Sequence, residues 1–220
     1  MVTLENVVKT YRTRGGRHIA LDHVTLEIAR DERIGILGRN GSGKSTLIRI
    51  VSGQEYPDSG RITRRMSVSW PLAFSGGFQG SLTGLDNLRF IARIYGVEHK
   101  AIQEFVEDFA ELGKFFREPV KTYSSGMQAR LAFALSLAIE FDCYLIDEVI
   151  AVGDARFHEK CVYELFEKRK DRSFLIVSHD PGIIRAHCTK AAVIDAGRLV
   201  LFPSVEEAYD SYTKILSGHG

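Results

Sequence analysis

Apolar and polar positions along this chain follow two rhythms. Residues 2–8, 19–28 and 33–37 show the two-residue period of strands, clearest in Val24-Thr25-Leu26-Glu27-Ile28. A helix is expected through Leu47-Ile48-Arg49-Ile50-Val51, and Gly53 and Pro57-Asp58-Ser59-Gly60 then mark turns before a strand over 61–68. Residues 71–84 carry Gly76, Gly77, Gly80 and Gly84 and read as a loop. From 86 to about 112 the period lengthens to three and four residues, through Leu88, Ile91 and Ala92 and, past Gly96, Ile102, Phe105, Val106 and Phe109. This predicts a helical insert. A third helix, 125–139, leads into the apolar segment 141–146, a buried strand by its pattern.

Past residue 155 the alternation continues: a helix to about 168, a strand at 174–177, and a helix opened by Asp180 as N-cap with Pro181 at its first position. A strand at 191–195 then turns tightly through Ala196-Gly197 into an antiparallel partner at 199–202, and a helix over 204–216 closes the chain. Strands alternating with helices predict an α/β fold with a mostly parallel sheet and ligands at the carboxyl ends of its strands.

With 220 residues, 45% hydrophobic and 26% charged, the chain suits one compact domain or two subdomains sharing a core. Its 29 basic and 28 acidic residues leave a formal charge of +1, which gives no footprint for gripping nucleic acid. Cys143, Cys161 and Cys188 fit neither a disulfide framework nor a zinc pattern and are expected to be free, buried thiols in a reducing compartment. The first residues lack the plan of a signal peptide, and the longest near-apolar stretch, 131–139, is far short of the roughly 20 residues that cross a bilayer. Any link to a membrane is therefore expected to run through another chain.

The chemistry begins at Gly38-Arg39-Asn40-Gly41-Ser42-Gly43-Lys44-Ser45-Thr46, a G-x-x-x-x-G-K-[ST] run between a strand and a helix. The glycines let backbone N–H groups turn inward around phosphates, Lys44 reaches the outer phosphates, and the Ser45 hydroxyl can ligate Mg²⁺ where a helix dipole favours anions. A nucleoside triphosphate is the implied ligand. A second element is the strand ending in Asp147-Glu148. Asp147 suits the metal, and Glu148 suits activation of the water that attacks the γ-phosphate. Third, Tyr123-Ser124-Ser125-Gly126-Met127-Gln128 opens a helix; taken alone it is an N-cap, but its place about twenty residues before the paired acids favours phosphate binding. His179 could simply belong to a helix start, and Tyr11, beside Arg12-Thr13-Arg14-Gly15-Gly16-Arg17, could be either a surface anchor or a base-stacking ring.

Together these residues resemble the nucleotide-binding subunit of an ABC transporter, over nearly the whole chain. The resemblance implies a P-loop NTPase of the ABC ATPase type: an N-terminal antiparallel β and phosphate-loop core over about 1–70, a helical subdomain over about 84–138, and the remaining core over about 139–220. It implies that Tyr11 stacks on adenine, that Ser124, Ser125 and Gly126 contact the γ-phosphate in trans, that Asp154 lies in the loop linking two sites, and that His179 senses the γ-phosphate. ATP and Mg²⁺ would then sit in a head-to-tail homodimer.

Several positions depart from the family's common pattern. Ser125 stands for the first signature glycine, Met127 for its glutamine, and Val149 for the proline after Glu148; the usual metal-sensing glutamine has no clear counterpart, Gln79 being either a displaced equivalent or a loop residue. These departures resemble polysaccharide exporters, and residues 70–84 look most like the capsular-polysaccharide export ATPases of Gram-negative bacteria. O-antigen and teichoic-acid exporters often carry a further C-terminal domain; the stop at Gly220 favours the capsule branch. The implied protein is a peripheral ATPase on the cytoplasmic face of the inner membrane, coupled through residues such as Phe74 and Phe78 to integral-membrane permease subunits that bind the glycan. The competing readings are a soluble regulatory ABC ATPase and a nucleotide kinase, the latter leaving 123–127 unexplained.

Overall fold

A computed structural model describes residues 1–72, 78–147, 154–178 and 181–218. The chain forms two compact units. The first takes in residues 1–71, the described residues of 141–147, and those from 171 onward; the second takes in the described residues of 72–140 and 154–170.

In the first unit β1 (Val2–Thr13) and β2 (Gly16–Ile28) form a long antiparallel hairpin, and β4 (Ser59–Arg64) pairs with the other edge of β1. The hairpin extends beyond the segment 2–8 read from the sequence, because residues 9–13 are held by cross-strand backbone pairing and not by an apolar face. The second sheet has the order β5-β6-β7-β3-β8-β9, from β5 (Val68–Pro71), β6 (Cys143–Asp147), β7 (Ser173–Val177), β3 (Arg33–Leu37), β8 (Lys190–Asp195) and β9 (Arg198–Phe202). All its neighbours run parallel except β8 and β9. The α/β expectation holds, including the antiparallel pair at the end of the chain.

The single strand expected over 61–68 is a correction: it is two strands in two sheets. Arg65 N–H donates to Met1 O at 2.9 Å, ending the β4 pairing, while Ser67 N–H and Oγ–H donate to Asp142 at 2.8 and 3.0 Å and start β5 beside β6. A sequence pattern cannot see this switch, since its partners lie far along the chain. Strands β3 and β7 are almost wholly buried, as parallel strands covered on both faces must be. With β1, β2 and α1 (Lys44–Ser52) they enclose an apolar core of Val, Leu and Ile side chains.

The second unit holds α2 (Gly84–Ile94), α3 (His99–Ala110), α4 (Ser125–Ala138) and α5 (Ala155–Val162). Two 3₁₀ turns, Gly113–Arg117 and Val120–Thr122, precede α4. Every residue from Leu131 to Leu137 is buried, so the carboxyl half of α4 has no polar face and forms the centre of the unit. Phe109 of α3 packs on Phe133 of α4 and Phe157 of α5, with ring centroids 6.2 and 5.3 Å away. Beyond α5 the helix continues as a π turn, Tyr163–Glu167, which periodicity had not distinguished from α-helix. Back in the first unit, α6 (Pro181–His187) and α7 (Val205–Leu216) complete the chain; Asp180, the expected cap of α6, lies outside the described residues.

Candidate nucleotide site

Strand β3 delivers the chain into residues 38–46 with no room for larger residues at two glycines. A Cβ on Gly38 would collide with Ile194 O and lie 2.6 Å from Ser42 Oγ, and one on Gly43 would collide with Ala20 O. Gly43 also has φ 118°, where only glycine is unstrained, and it caps α1. The Ala196-Gly197 turn buttresses the loop: Gly197 N–H donates to Ser42 O at 3.0 Å, and Gly197 O accepts from Asp22 N–H at 2.8 Å. Lys44 Nζ donates to Gly38 O at 2.8 Å and Arg39 O at 3.0 Å, arching over the loop. Ser42 Oγ is buried and has no hydrogen-bond partner among the described residues, while Ser45 is exposed at the first turn of α1. A cradle that a Cβ would fill, a buried hydroxyl awaiting a partner and an arched lysine at a helix start fit a polyphosphate.

The loop opens into a pocket of ≈ 450 Å³ lined by Tyr11, His18, Ala20, Asn40, Gly41, Gly43, Lys44, Ser45 and Thr46. Tyr11 is thus brought to the mouth of the phosphate loop. His18 faces Tyr11 across the hairpin register. Sequence reasoning missed it; the signal available was the two-residue turn Arg14-Gly15, which fixes which β2 residue opposes Tyr11.

Asp147 ends β6 opposite Val177, and β7 lies between β6 and β3. The ends of three adjacent strands therefore gather Asp147, Ser178 and the phosphate loop on one edge of the sheet, where α/β sheets bind ligands. Glu148 and His179, the residues following Asp147 and Ser178, lie outside the described residues.

In the second unit Ser124 caps α4, its Oγ accepting from Met127 N–H at 3.2 Å. Ser124 and Ser125 are exposed, and a Cβ on Gly126 would touch nothing closer than 3.9 Å, so this helix start is open to an incoming group. Asp154 caps α5, accepting from Phe157 N–H at 2.9 Å and from Arg130 Nη2 at 2.8 Å. The Phe157 N–H, and to a lesser degree Arg130, hold its carboxyl below the usual range. Arg130 stacks on Phe157 with its guanidinium carbon 4.7 Å from the ring centroid, so the second turn of α4 is tied to the first turn of α5. Asn87, also unforeseen, is buried in α2: its Nδ2 donates to Gln79 O at 3.3 Å and Thr83 O at 2.9 Å, and its Oδ1 accepts from Gln79 N–H at 3.1 Å. The Gln79 backbone is therefore fixed to the head of α2. Phe74 lies outside the described residues, and Phe78 is half-buried.

A phosphate loop and a strand-end carboxylate on one edge of a mostly parallel sheet define a P-loop nucleotide-binding domain. The chain belongs to the ABC transporter family, whose model matches residues 21–151, and is its ATP-binding domain. It is 58% identical to the capsule polysaccharide export ATP-binding protein CtrD of Neisseria meningitidis serogroup B, over 98% of this chain and 100% of that one. It is also 58% identical to the ATP-binding protein BexA of Haemophilus influenzae, over 97% and 99% of the two chains. Among solved structures, the dimeric post-hydrolysis state of the ATP-binding cassette MJ0796 bound to ADP and Pi matches with a TM-score of 0.77 at 24% identity, over 90% of this chain and 96% of that one. At that identity the likeness is one of fold. Among the described residues no helix is long and apolar enough to cross a membrane.

Proposed function

We propose that this chain is the ATP-hydrolysing subunit of a capsular-polysaccharide exporter. It works as a head-to-tail homodimer on the cytoplasmic face of the inner membrane, beneath separate permease subunits that carry the glycan. The observation that carries this reading is the end-to-end identity of 58% to a capsule polysaccharide export ATP-binding protein.

In this reading Lys44 and the loop N–H groups hold the γ-phosphate from one side, and Ser124, Ser125 and Gly126 of the second copy hold it from the other. The exposed start of α4 supports that role. The closed dimer is then favoured only while the γ-phosphate is present. Ser45 and Asp147 would hold Mg²⁺, which when bound offsets phosphate charge. Glu148 orients and deprotonates the attacking water, His179 contacts the γ-phosphate, and Asp154 lies where the two copies' sites communicate. Loss of the bridging phosphate reopens the interface and moves the permease. Residues 70–84 and the helical insert form the permease-facing surface; Phe90 and Ile94, one turn apart on α2 and 52% and 58% exposed, support this.

The test is a purified Glu148→Gln variant examined by sedimentation with Mg-ATP, together with pull-down of membrane subunits from detergent extracts. An ATP-dependent dimer without turnover, carrying a permease, is expected. An ATP-bound monomer that phosphorylates a small acceptor would overturn the reading. A dimer that never captures a membrane subunit would point to a soluble switch.

A further inference from the structure

The Tyr11 ring at the mouth of the pocket does not stand alone. Its hydroxyl donates to Glu55 Oε2 at 2.5 Å, the length of a charge-assisted bond, and accepts from Arg49 Nη2 at 3.2 Å. Arg49 Nε forms an ion pair with Glu55 Oε1 at 2.8 Å, and Glu55 N–H donates to Arg49 O at 3.1 Å, so carboxylate and guanidinium are held together by side chain and backbone. Arg49 Nη2 also reaches Thr46 Oγ1 at 3.3 Å, and Thr46 lines the same pocket. Lys9 flanks the group, its Nζ 3.9 Å from Glu55 Oε2 and 5.7 Å from the Tyr11 ring centroid.

From this geometry we infer that Arg49 and Glu55 are positioning residues for nucleotide binding: they lock the Tyr11 ring against α1 so that its face is presented to the nucleobase at a fixed distance from the phosphate loop. The inference rests on the reading that Tyr11 stacks on the base. Two consequences follow. The hydroxyl spends its proton on Glu55 and a lone pair on Arg49, so it is not offered to the edge of the base. The ring contributes through its face, which every purine can match. And since a free aromatic side chain must lose rotamer freedom when a base docks, a ring already locked contributes more to affinity.

The test compares Mg-ATP, Mg-GTP and inorganic tripolyphosphate binding by calorimetry on the full chain. Tyr11→Ala should weaken ATP and leave tripolyphosphate unchanged. Glu55→Gln and Arg49→Lys should each weaken ATP and GTP alike, on the order of threefold to tenfold for the loss of a charged tether, again sparing tripolyphosphate. In a Tyr11→Phe background, where the tether is already gone, Glu55→Gln should have no further effect on ATP. If Tyr11→Ala leaves ATP binding intact, the stacking reading itself fails. If Tyr11→Ala weakens ATP but Glu55→Gln and Arg49→Lys stay within twofold of the parent, the positioning role is wrong. Equal losses for ATP and tripolyphosphate would mean that the pair merely holds α1 in place, which also overturns it.

Discussion

Gly43 carries two constraints at once, a left-handed φ of 118° and a backbone carbonyl from Ala20 where a side chain would begin. Gly43→Ala should therefore cost about 1–3 kcal/mol of stability, read as a lowered thermal midpoint, and should abolish nucleotide binding, because relief of the clash must move the loop. Gly41→Ala, with φ 78° but open space around it, should show the smaller loss. Burial pushes the Cys143 thiol from 9.0 up to about 12, and the Cys161 and Cys188 thiols likewise. Between those values the unfolded chain ionises while the folded one holds its protons. Stability present below pH 9 should thus fall as pH rises, by up to about 1.4 kcal/mol per pH unit per thiol. Denaturation at pH 7 to 10.5 should show a shallower fall in Cys143→Ala than in the parent. Residues 38–46 were legible in the sequence because a phosphate loop is a local object, made by consecutive glycines between a strand and a helix. His18, Arg49 and Glu55 were not, because only hairpin register and the return of the chain after α1 bring them to Tyr11.

Helix α4 poses the question that the sequence left between a plain N-cap and a phosphate contact, and Ser124 can be made to answer it. Its Oγ does cap the helix, so Ser124→Ala should lose about 1 kcal/mol. Ser124→Asp keeps an accepting oxygen in place and should restore the thermal midpoint. The same carboxylate would face a γ-phosphate, so if α4 contacts ATP in a dimer, Ser124→Asp should be stable yet fail to dimerise on Mg-ATP in a Glu148→Gln background. Restored dimerisation would leave capping as its only role. Asn87 makes the complementary case in α2: removing a buried amide that pairs with both the N–H and the C=O of Gln79 takes the acceptor from that N–H and leaves the C=O held by Leu82 N–H alone, at 2.9 Å. Asn87→Ala should cost about 1–3 kcal/mol and raise amide exchange at residues 79–83. The spacing of Leu88, Ile91 and Ala92 revealed the helix but could not reveal Asn87, since a polar residue inside an apolar stripe is explained only by the loop it satisfies. The division of 61–68 between two sheets was hidden for a similar reason, the deciding partners being Met1 and Asp142.

For the molecule as a whole, the decisive quantity is how nucleotide stabilisation depends on protein concentration. A ligand that binds only the folded chain stabilises it by about 2.7 kcal/mol at one hundred times its dissociation constant. For a chain of this size that is a rise in thermal midpoint of roughly 5–11 °C. A monomeric phosphate-loop enzyme shows that rise at any protein concentration. If ATP instead joins two copies, each unfolding event must also break a dimer, and the midpoint climbs further as the protein is concentrated. For Glu148→Gln, scans at 1, 10 and 100 µM protein in saturating Mg-ATP should therefore show midpoints that rise with concentration; Mg-ADP, which lacks the bridging phosphate, should give a constant shift. Identical shifts for the two nucleotides across that range would remove the clasp from the mechanism while leaving the phosphate loop as a binding site. Any coupling to a permease would then have to come from rearrangement within one chain and not from the parting of two.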